Sequence, residues 1–443
     1  LVTIAWLPGS EINFNSPSIM NHYWVNTLSR TPKRLLASLS IVAVGFIGCT
    51  PARETAKAQD YPVSISVQQT VPSFNSDVEA LVKMGPRVTG MPVMEQASNY
   101  LVAEFRKAGY EAEIQTFTYD KFEDQGSSLT VNGVAFRGLA LRGTTAGSLT
   151  GHLVSVPNVG RIADFATVNV KGAIAITQRG EIPFTEKVQN AAAAGAIGLV
   201  IVNNAADNFS GILTQSSPFP VLAISGNQGK PLLEQARREL LTVTLSINAG
   251  QRKVTGRNVI AHLAGVTQPK VLLGGHYDSV AGSPGANDNA SGTAVVLAIA
   301  RNIAQTPQAQ KVWFVAFDGE EDGLHGSKAF VKTSSPQLLK GLKGMLNFDM
   351  VGVNQPLRVS GTPSLTQLAQ AIKTDTVTLG SSSGGSDHAS FAAVGVPVLF
   401  FHRGLEPNYH KPTDQVVDPT LLNETTRTAL KILRQLLAKE EQT

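Results

Sequence analysis

The sequence predicts an α/β fold, a three-layer sandwich on a mixed, largely parallel sheet, carrying a β-rich insert. Three observations lead there. From Thr255 onward, apolar and partly β-branched runs at 271–275, 312–317, 345–348 and 396–401 alternate with helix-like stretches at 290–304, 365–373 and 421–438. Between residues 126 and 250 the texture changes to short strands, frequent glycine and few charges. A composition of 42% hydrophobic and 16% charged residues over 443 positions is that of a folded chain with more than one domain.

Taken in order, residues 1–49 are expected to form a leader and 50–72 a tether. Arg30, Lys33 and Arg34 precede an apolar run over 35–48. The run is too short to cross a bilayer as a helix and has the form of a secretory signal, with the natural start expected at Met20. The single cysteine, Cys49, closes that run in Phe46-Ile47-Gly48-Cys49. This resembles a bacterial lipobox, in which the cysteine carries the lipid and becomes the mature N-terminus. Ala56-Lys57-Ala58 is a competing small-x-small cleavage site. Either route exports the protein, to the cell envelope or as a secreted form, without a disulfide. Its expected tie to a membrane is the anchor at Cys49. The formal charge is +4 and the isoelectric point near 9.0, but part of the excess lies in the leader. The remainder forms no basic face, which argues against nucleic-acid partners.

Residues 73–125 open the folded part. Val78, Leu81 and Val82, then Tyr100, Leu101 and Phe105, recur at helical spacing around the breakers Gly85-Pro86 and Gly90 to Pro92. Ala108-Gly109 closes the second helix, and alternation from Tyr110 to Tyr119 starts a strand. Within 126–250, the stretches 172–180 and 184–204 read as strand, turn, Ala-rich helix and strand. This unit resembles the protease-associated domain. That family's common cysteine after the Arg179-Gly180 turn is Ile182 here, so the resemblance implies no disulfide. His152 and Arg179 stand alone, and the segment reads as an accessory module.

Residues 251–443 hold the chemistry. In open α/β sheets ligands bind at the carboxyl ends of the strands. His276-Tyr277-Asp278, Asp288, Glu320-Glu321, Asp349 and His410 fall at such ends. His276 and Asp278 project the same way, and a carboxylate suits the second ring nitrogen of a ligating imidazole. Asp288, in a loop of small residues that opens a helix, reads equally as a bridge between two cations or as an ordinary N-cap. Adjacent Glu320 and Glu321 point in different directions, so one can hold a cation while the other draws a proton from water. Asp318 is ambiguous, and Asp322 reads as part of a solvated turn. Two imidazoles and four or five carboxylates suffice for two divalent ions, with one acid left over as base.

Order, context and spacing together resemble the secreted dinuclear-zinc aminopeptidases, a family that also contains glutamate carboxypeptidases and glutaminyl cyclases, over roughly residues 78–437. The resemblance implies a fold of the zinc-exopeptidase type and two Zn2+ ions per chain. His276 and Asp349 would hold one ion, Glu321 and His410 the other, with Asp288 between them. It further implies Glu320 as general base, Tyr409 at the oxyanion, Asp278 orienting His276, and a cis bond at Asp288-Asn289. Gly384 to His388 resembles the family's loop beside the substrate pocket, which puts Asp387 and His388 there as pocket lining or as supports behind it, and not as metal ligands; His262, His325 and His402 read as structural. The expected activity is removal of the N-terminal residue from peptides. A carboxypeptidase would need a cationic pocket for a free carboxylate, for which Arg358 and Arg403 are the candidates. A glutaminyl cyclase usually lacks the protease-associated insert. A metal-free binding protein of this fold would need a gap in the ligand set, and the set is complete.

Overall fold

The centre of the first sheet is built from strands that are buried on both faces. The computed structural model describes residues 72–354, 356–372, 377–378 and 385–438; the leader, Cys49, the Ala56-Lys57-Ala58 site and Gly384 lie outside them. Its first sheet has eight strands: β1 (Glu111–Asp124), β2 (Ala249–His262), β3 (Val271–His276), β4 (Val312–Phe317), β5 (Gly344–Phe348), β6 (Arg358–Gly361), β7 (Val377–Thr378) and β8 (Val398–His402). They run in the order β1-β2-β4-β3-β5-β8-β6-β7. The central four, β4, β3, β5 and β8, are parallel. Antiparallel pairings at β1–β2, β2–β4 and β8–β6 make the whole sheet mixed.

Alternation along these strands builds three layers. Leu273, Phe314, Leu346 and Leu399 face a core shared with the helices Pro72–Lys83, Val93–Lys107, Ser291–Ile303 and Pro419–Ala438. Leu272, Val315, Met345 and Val398 face the opposite core, under the helices His325–Thr333, Pro336–Gly341 and His388–Ala392. The helix Ser291–Ile303 approaches the sheet closely at Gly292, where an added Cβ would lie 2.2 Å from the carbonyl oxygen of Phe348. Among the described residues no helix is long and apolar enough to cross a membrane.

The insert is a second eight-stranded sheet, with cores on both faces. Its centre follows the expected pattern: strand Ile174–Gln178, helix Phe184–Ala193 and strand Gly198–Val202, the two strands parallel. A buried ammonium holds the turn between the first of these strands and the helix. Lys187 is fully buried and donates to the carbonyls of Val159, Gln178 (3.0 Å) and Gly180 (3.2 Å), pinning the Arg179-Gly180 turn to the helix. Burial pushes its pKa down to about 8. Lys187→Met removes the donor; the carbonyl of Gly180 keeps the N–H of Ile182, but the buried carbonyl of Val159 loses its ammonium partner, which costs about 2 kcal/mol. The expected result is a lowered Tm with earlier proteolytic nicking inside the insert than in the first sheet and its helices; an unchanged Tm would show that the turn is held by the strand ladder alone.

The two sheets are joined by a pair of long strands. β1 and β2 stay in register over fourteen residues, from Glu111 opposite His262 to Asp124 opposite Ala249. The carboxylate of Asp124 closes the entry turn by accepting N–H bonds from Gly126 (2.7 Å), Ser127 (2.9 Å) and Ala140.

Candidate metal centre

The strand ends bring the predicted residues into one cluster. His276 ends β3, Glu320 and Glu321 follow β4, Asp349 follows β5, and His410 lies in the loop after β8. Asp288 sits in the irregular turn Ala286–Ala290 between β3 and the helix Ser291–Ile303, and the Asp288–Asn289 peptide bond is cis. Its two oxygens face different imidazoles. Oδ1 lies 3.3 Å from His276 Nε2, and Oδ2 lies 3.1 Å from His410 Nε2. His276 Nε2 is also 3.4 Å from Asp349, and His410 Nε2 is 3.1 Å from Glu321. Two three-residue groups result, His276-Asp288-Asp349 and Asp288-Glu321-His410, each able to bring its ligand atoms within 4.8 Å of one another. Glu320 belongs to neither group.

The donor set suits divalent cations. Among the described residues, Glu321 Oε1 and Asp349 Oδ1 are buried carboxylate oxygens with no hydrogen-bond donor, an expensive arrangement unless a cation faces them. Imidazole with carboxylate is a ligand mix that zinc takes readily and that cobalt or manganese accepts. The field of the acids is visible on the histidines. Burial opposes charging of His276, yet Asp349 and Glu320 carry it well above its ordinary value. Burial opposes His410 as well, and Asp288 and Glu321 push it up to about 10. Glu321 is pushed up to about 7, chiefly by burial, with Asp288 adding to it.

Three supports hold these groups in place. Asp278 faces the other nitrogen of His276, with its carboxylate 3.4 Å and its carbonyl 3.2 Å from Nδ1. The same carboxylate accepts the backbone N–H groups of Glu320 (3.2 Å) and Glu321 (3.3 Å), so one side chain orients an imidazole and both glutamates. Asp414 accepts the N–H groups of Asn287 (2.8 Å) and Asp288 (3.1 Å) and fixes the turn. Asn289, not Asp288, performs the capping, accepting the N–H of Gly292 at 2.8 Å, which leaves Asp288 free to point into the cluster. The third support is Arg87, which is wholly buried. Its guanidinium donates to the carbonyls of Tyr277 (2.6 Å), Pro284 (2.5 Å), Gly285 (2.9 Å) and Leu81 (3.3 Å).

Several residues differ from their sequence reading. Asp318 is fully buried, accepting from Thr89 (2.5 Å) and the N–H of Arg257 (2.8 Å); burial and the nearby Asp278 push its pKa up to about 8. It braces the site from beneath. Asp322 is not in a solvated turn: it accepts from Tyr119 (2.5 Å) and Lys121 (2.8 Å), while its carbonyl accepts from Arg142 of the insert (3.0 Å). Asp387 and His388 do not line the cavity. Both are fully buried and stand behind the cavity, because His388 stacks on Phe400 at 4.4 Å and Phe400 takes the lining position. His402, read as structural, does line that cavity, which has a volume of about 360 Å3 and is bounded at the centre by Asp288, Glu320, Glu321 and Asp349. Tyr409 lines it too, stacked on His410 with ring centroids 3.7 Å apart. Of the two candidate cations, Arg358 reaches the cavity. Arg403 is turned away, donating to the carbonyls of Val351 and Leu421 and pairing with Glu424 at 3.3 Å. His325 stacks on Tyr119 and His262 on Trp313, both away from the cluster.

An α/β sandwich with paired histidine–carboxylate groups at its parallel strand ends defines a hydrolase-type metal centre. Comparison with known proteins narrows the class. The model of Peptidase family M28 matches residues 258–433, and that of the PA domain matches 149–232. Aminopeptidase YwaD of Bacillus subtilis is 32% identical over 365 residues, covering 75% of this chain and 77% of the relative. The probable lipoprotein aminopeptidase LpqL of Mycobacterium tuberculosis is 28% identical, covering 91% and 92% respectively. The solved structure of BSAP, a zinc aminopeptidase from Bacillus subtilis, superposes with a TM-score of 0.73 at 27% identity, over 83% of this chain and 94% of that one. The chain belongs to peptidase family M28 and carries an inserted PA domain.

Proposed function

We propose that this protein is an exported metallo-aminopeptidase that hydrolyses the first peptide bond of its substrates with two zinc ions. The observation that carries the reading is the division of Asp288, whose two oxygens face two imidazoles, each with its own second carboxylate. His276 and Asp349 would hold one ion, Glu321 and His410 the other, and Asp288 both. Cations held there would supply an acidified water and offset the charge that develops on the substrate carbonyl.

The chain's own residues supply the rest. Glu320 stands at the cavity outside both groups, and burial raises its carboxyl well above its ordinary value, Asp349, Asp387 and Glu321 adding to this against the pull of His276. With cations bound beside it, a carboxylate in this position would take a proton from water and return it to the leaving nitrogen. The hydroxyl of Tyr409, in the same cavity, would donate to the carbonyl oxygen. Asp278 keeps His276 and the Glu320-Glu321 loop aligned. The lipobox-like Phe46 to Cys49 supports attachment to the cell envelope, and LpqL, a lipoprotein by name, supports the same reading.

The test compares leucine p-nitroanilide with its N-acetylated form, before and after chelation. Hydrolysis of the free amine alone, abolished by chelator and restored by zinc, is the expected result. Equal cleavage of the blocked substrate, or activity that survives chelation, would overturn the proposal.

A further inference from the structure

Arg358 brings a positive charge into the cavity beside the centre, and its side chain makes no hydrogen bond or ion pair among the described residues. It heads β6, where it lies directly opposite His402 in the antiparallel register with β8. Directly opposite residues share a sheet face, and Phe400, two residues before His402, shares it too. All three line the cavity. The rings of His388, Phe400 and His402 stack in series, with centroids 4.4 and 4.7 Å apart. Phe400 and His402, backed by His388, give this side of the cavity an aromatic wall along which a short chain of methylenes can lie. Near this wall the guanidinium rests against Gly404, where an added Cβ would stand 3.0 Å from Nη1. Asn354 holds that loop by donating to the carbonyl of Leu405 at 2.8 Å.

We propose that this cavity receives the first side chain of the peptide and that Arg358 selects a carboxylate there, so that preferred substrates begin with glutamate or aspartate. The inference rests on the aminopeptidase reading above. A guanidinium pairs with a carboxylate through two parallel N–H bonds, and a partly enclosed pair of this kind is stronger than a solvated one. The four acids on the inner side of the cavity are those assigned to the cations and to the base, which leaves Arg358 as the charge facing the substrate's side chain. An N-terminal lysine or arginine would bring a like charge against it. A free C-terminal carboxylate has the same chemistry, so the test must separate the two sources.

The experiment measures kcat/KM of the zinc-loaded protein for glutamate, leucine and lysine p-nitroanilides, together with glutamate release from N-acetyl-Ala-Glu. The native protein is expected to favour glutamate over lysine by at least roughly tenfold, and Arg358→Met is expected to lower the glutamate-to-leucine ratio by roughly 10- to 100-fold, mainly through KM. Arg358→Lys should recover part of the ratio. Should Arg358→Met fail to fold, Arg358→Gln provides the same comparison. Hydrolysis of the leucine substrate with the same ratio in native and substituted protein would overturn the inference and leave the aminopeptidase reading standing. Cleavage of N-acetyl-Ala-Glu in place of the glutamate anilide would overturn it by moving the carboxylate to the other end of the substrate. Hydrolysis of none of them would overturn both.

Discussion

Glu320→Gln is expected to lower kcat on leucine p-nitroanilide by about a thousandfold or more, while the protein keeps its metal. The substitution preserves shape and nearly preserves volume. It removes the basic oxygen that would accept the proton of water, and it leaves both three-residue groups intact because Glu320 belongs to neither. The N–H bond from residue 320 to Asp278 is made by the backbone and survives the change. Steady-state kinetics with metal analysis by atomic emission reads both quantities. Loss of metal along with activity would exchange the roles proposed for Glu320 and Glu321, since adjacent acids on one loop differ only in which of them faces the cations.

Arg87→Met is expected to destabilise the protein on the order of 4 kcal/mol, a large share of the stability of an ordinary domain. The four carbonyls it serves are not equally dependent on it. Leu81 and Gly285 also accept backbone N–H groups, from Met84 and Ala290. Tyr277 and Pro284 have Arg87 as their donor, and an orphaned buried carbonyl costs about 1–3 kcal/mol. Burial alone depresses the guanidinium, to about 10, with Asp278, Asp414 and Asp288 opposing, and its charge stays on at neutral pH. Its loss also loosens the segment leading to Asp288, so zinc affinity should fall along with the urea midpoint. A variant as stable as the native chain would show that the backbone of this segment is held without the arginine.

The sandwich and the acid cluster were legible for one reason. Strands buried on both faces appear as unbroken apolar runs, and a charge directly after such a run is conspicuous. His276, Glu320, Glu321 and Asp349 all stand there. The supports were illegible for a matching reason. Arg87 lies about 190 residues from the carbonyls of Tyr277 and Pro284, between two helices, and a side chain that serves backbone carbonyls leaves no pattern of partner residues to find. Asp414 is four residues past His410 and looks like any polar residue of a turn until its bonds to Asn287 and Asp288 are seen. His402 was readable in principle, because its spacing from Phe400 puts both on one face. The pairing with Arg358 that gives this face its meaning depends on the neighbouring strand running antiparallel, which alternation alone does not specify. Asp322 misled because acids in Gly-flanked turns are usually solvated, and its partners Tyr119 and Lys121 come from a strand 200 residues earlier.

The fourteen-residue ladder between β1 and β2 makes the insert removable in principle. The chain leaves the catalytic sheet at Asp124 and returns at Ala249, and these two residues are direct partners in the ladder. Partners in an antiparallel pair lie about 5 Å apart, a gap that a two-residue hairpin spans. The catalytic sheet therefore has a natural seam: everything beyond Asp124 and Ala249 could be replaced by a short turn without shifting a single register in the sheet that carries the strand ends. A module attached in this way can be exchanged, enlarged or lost over evolution without disturbing the sheet beneath it, and the contact from Arg142 to the loop of Glu320 and Glu321 is one that would have to be rebuilt each time.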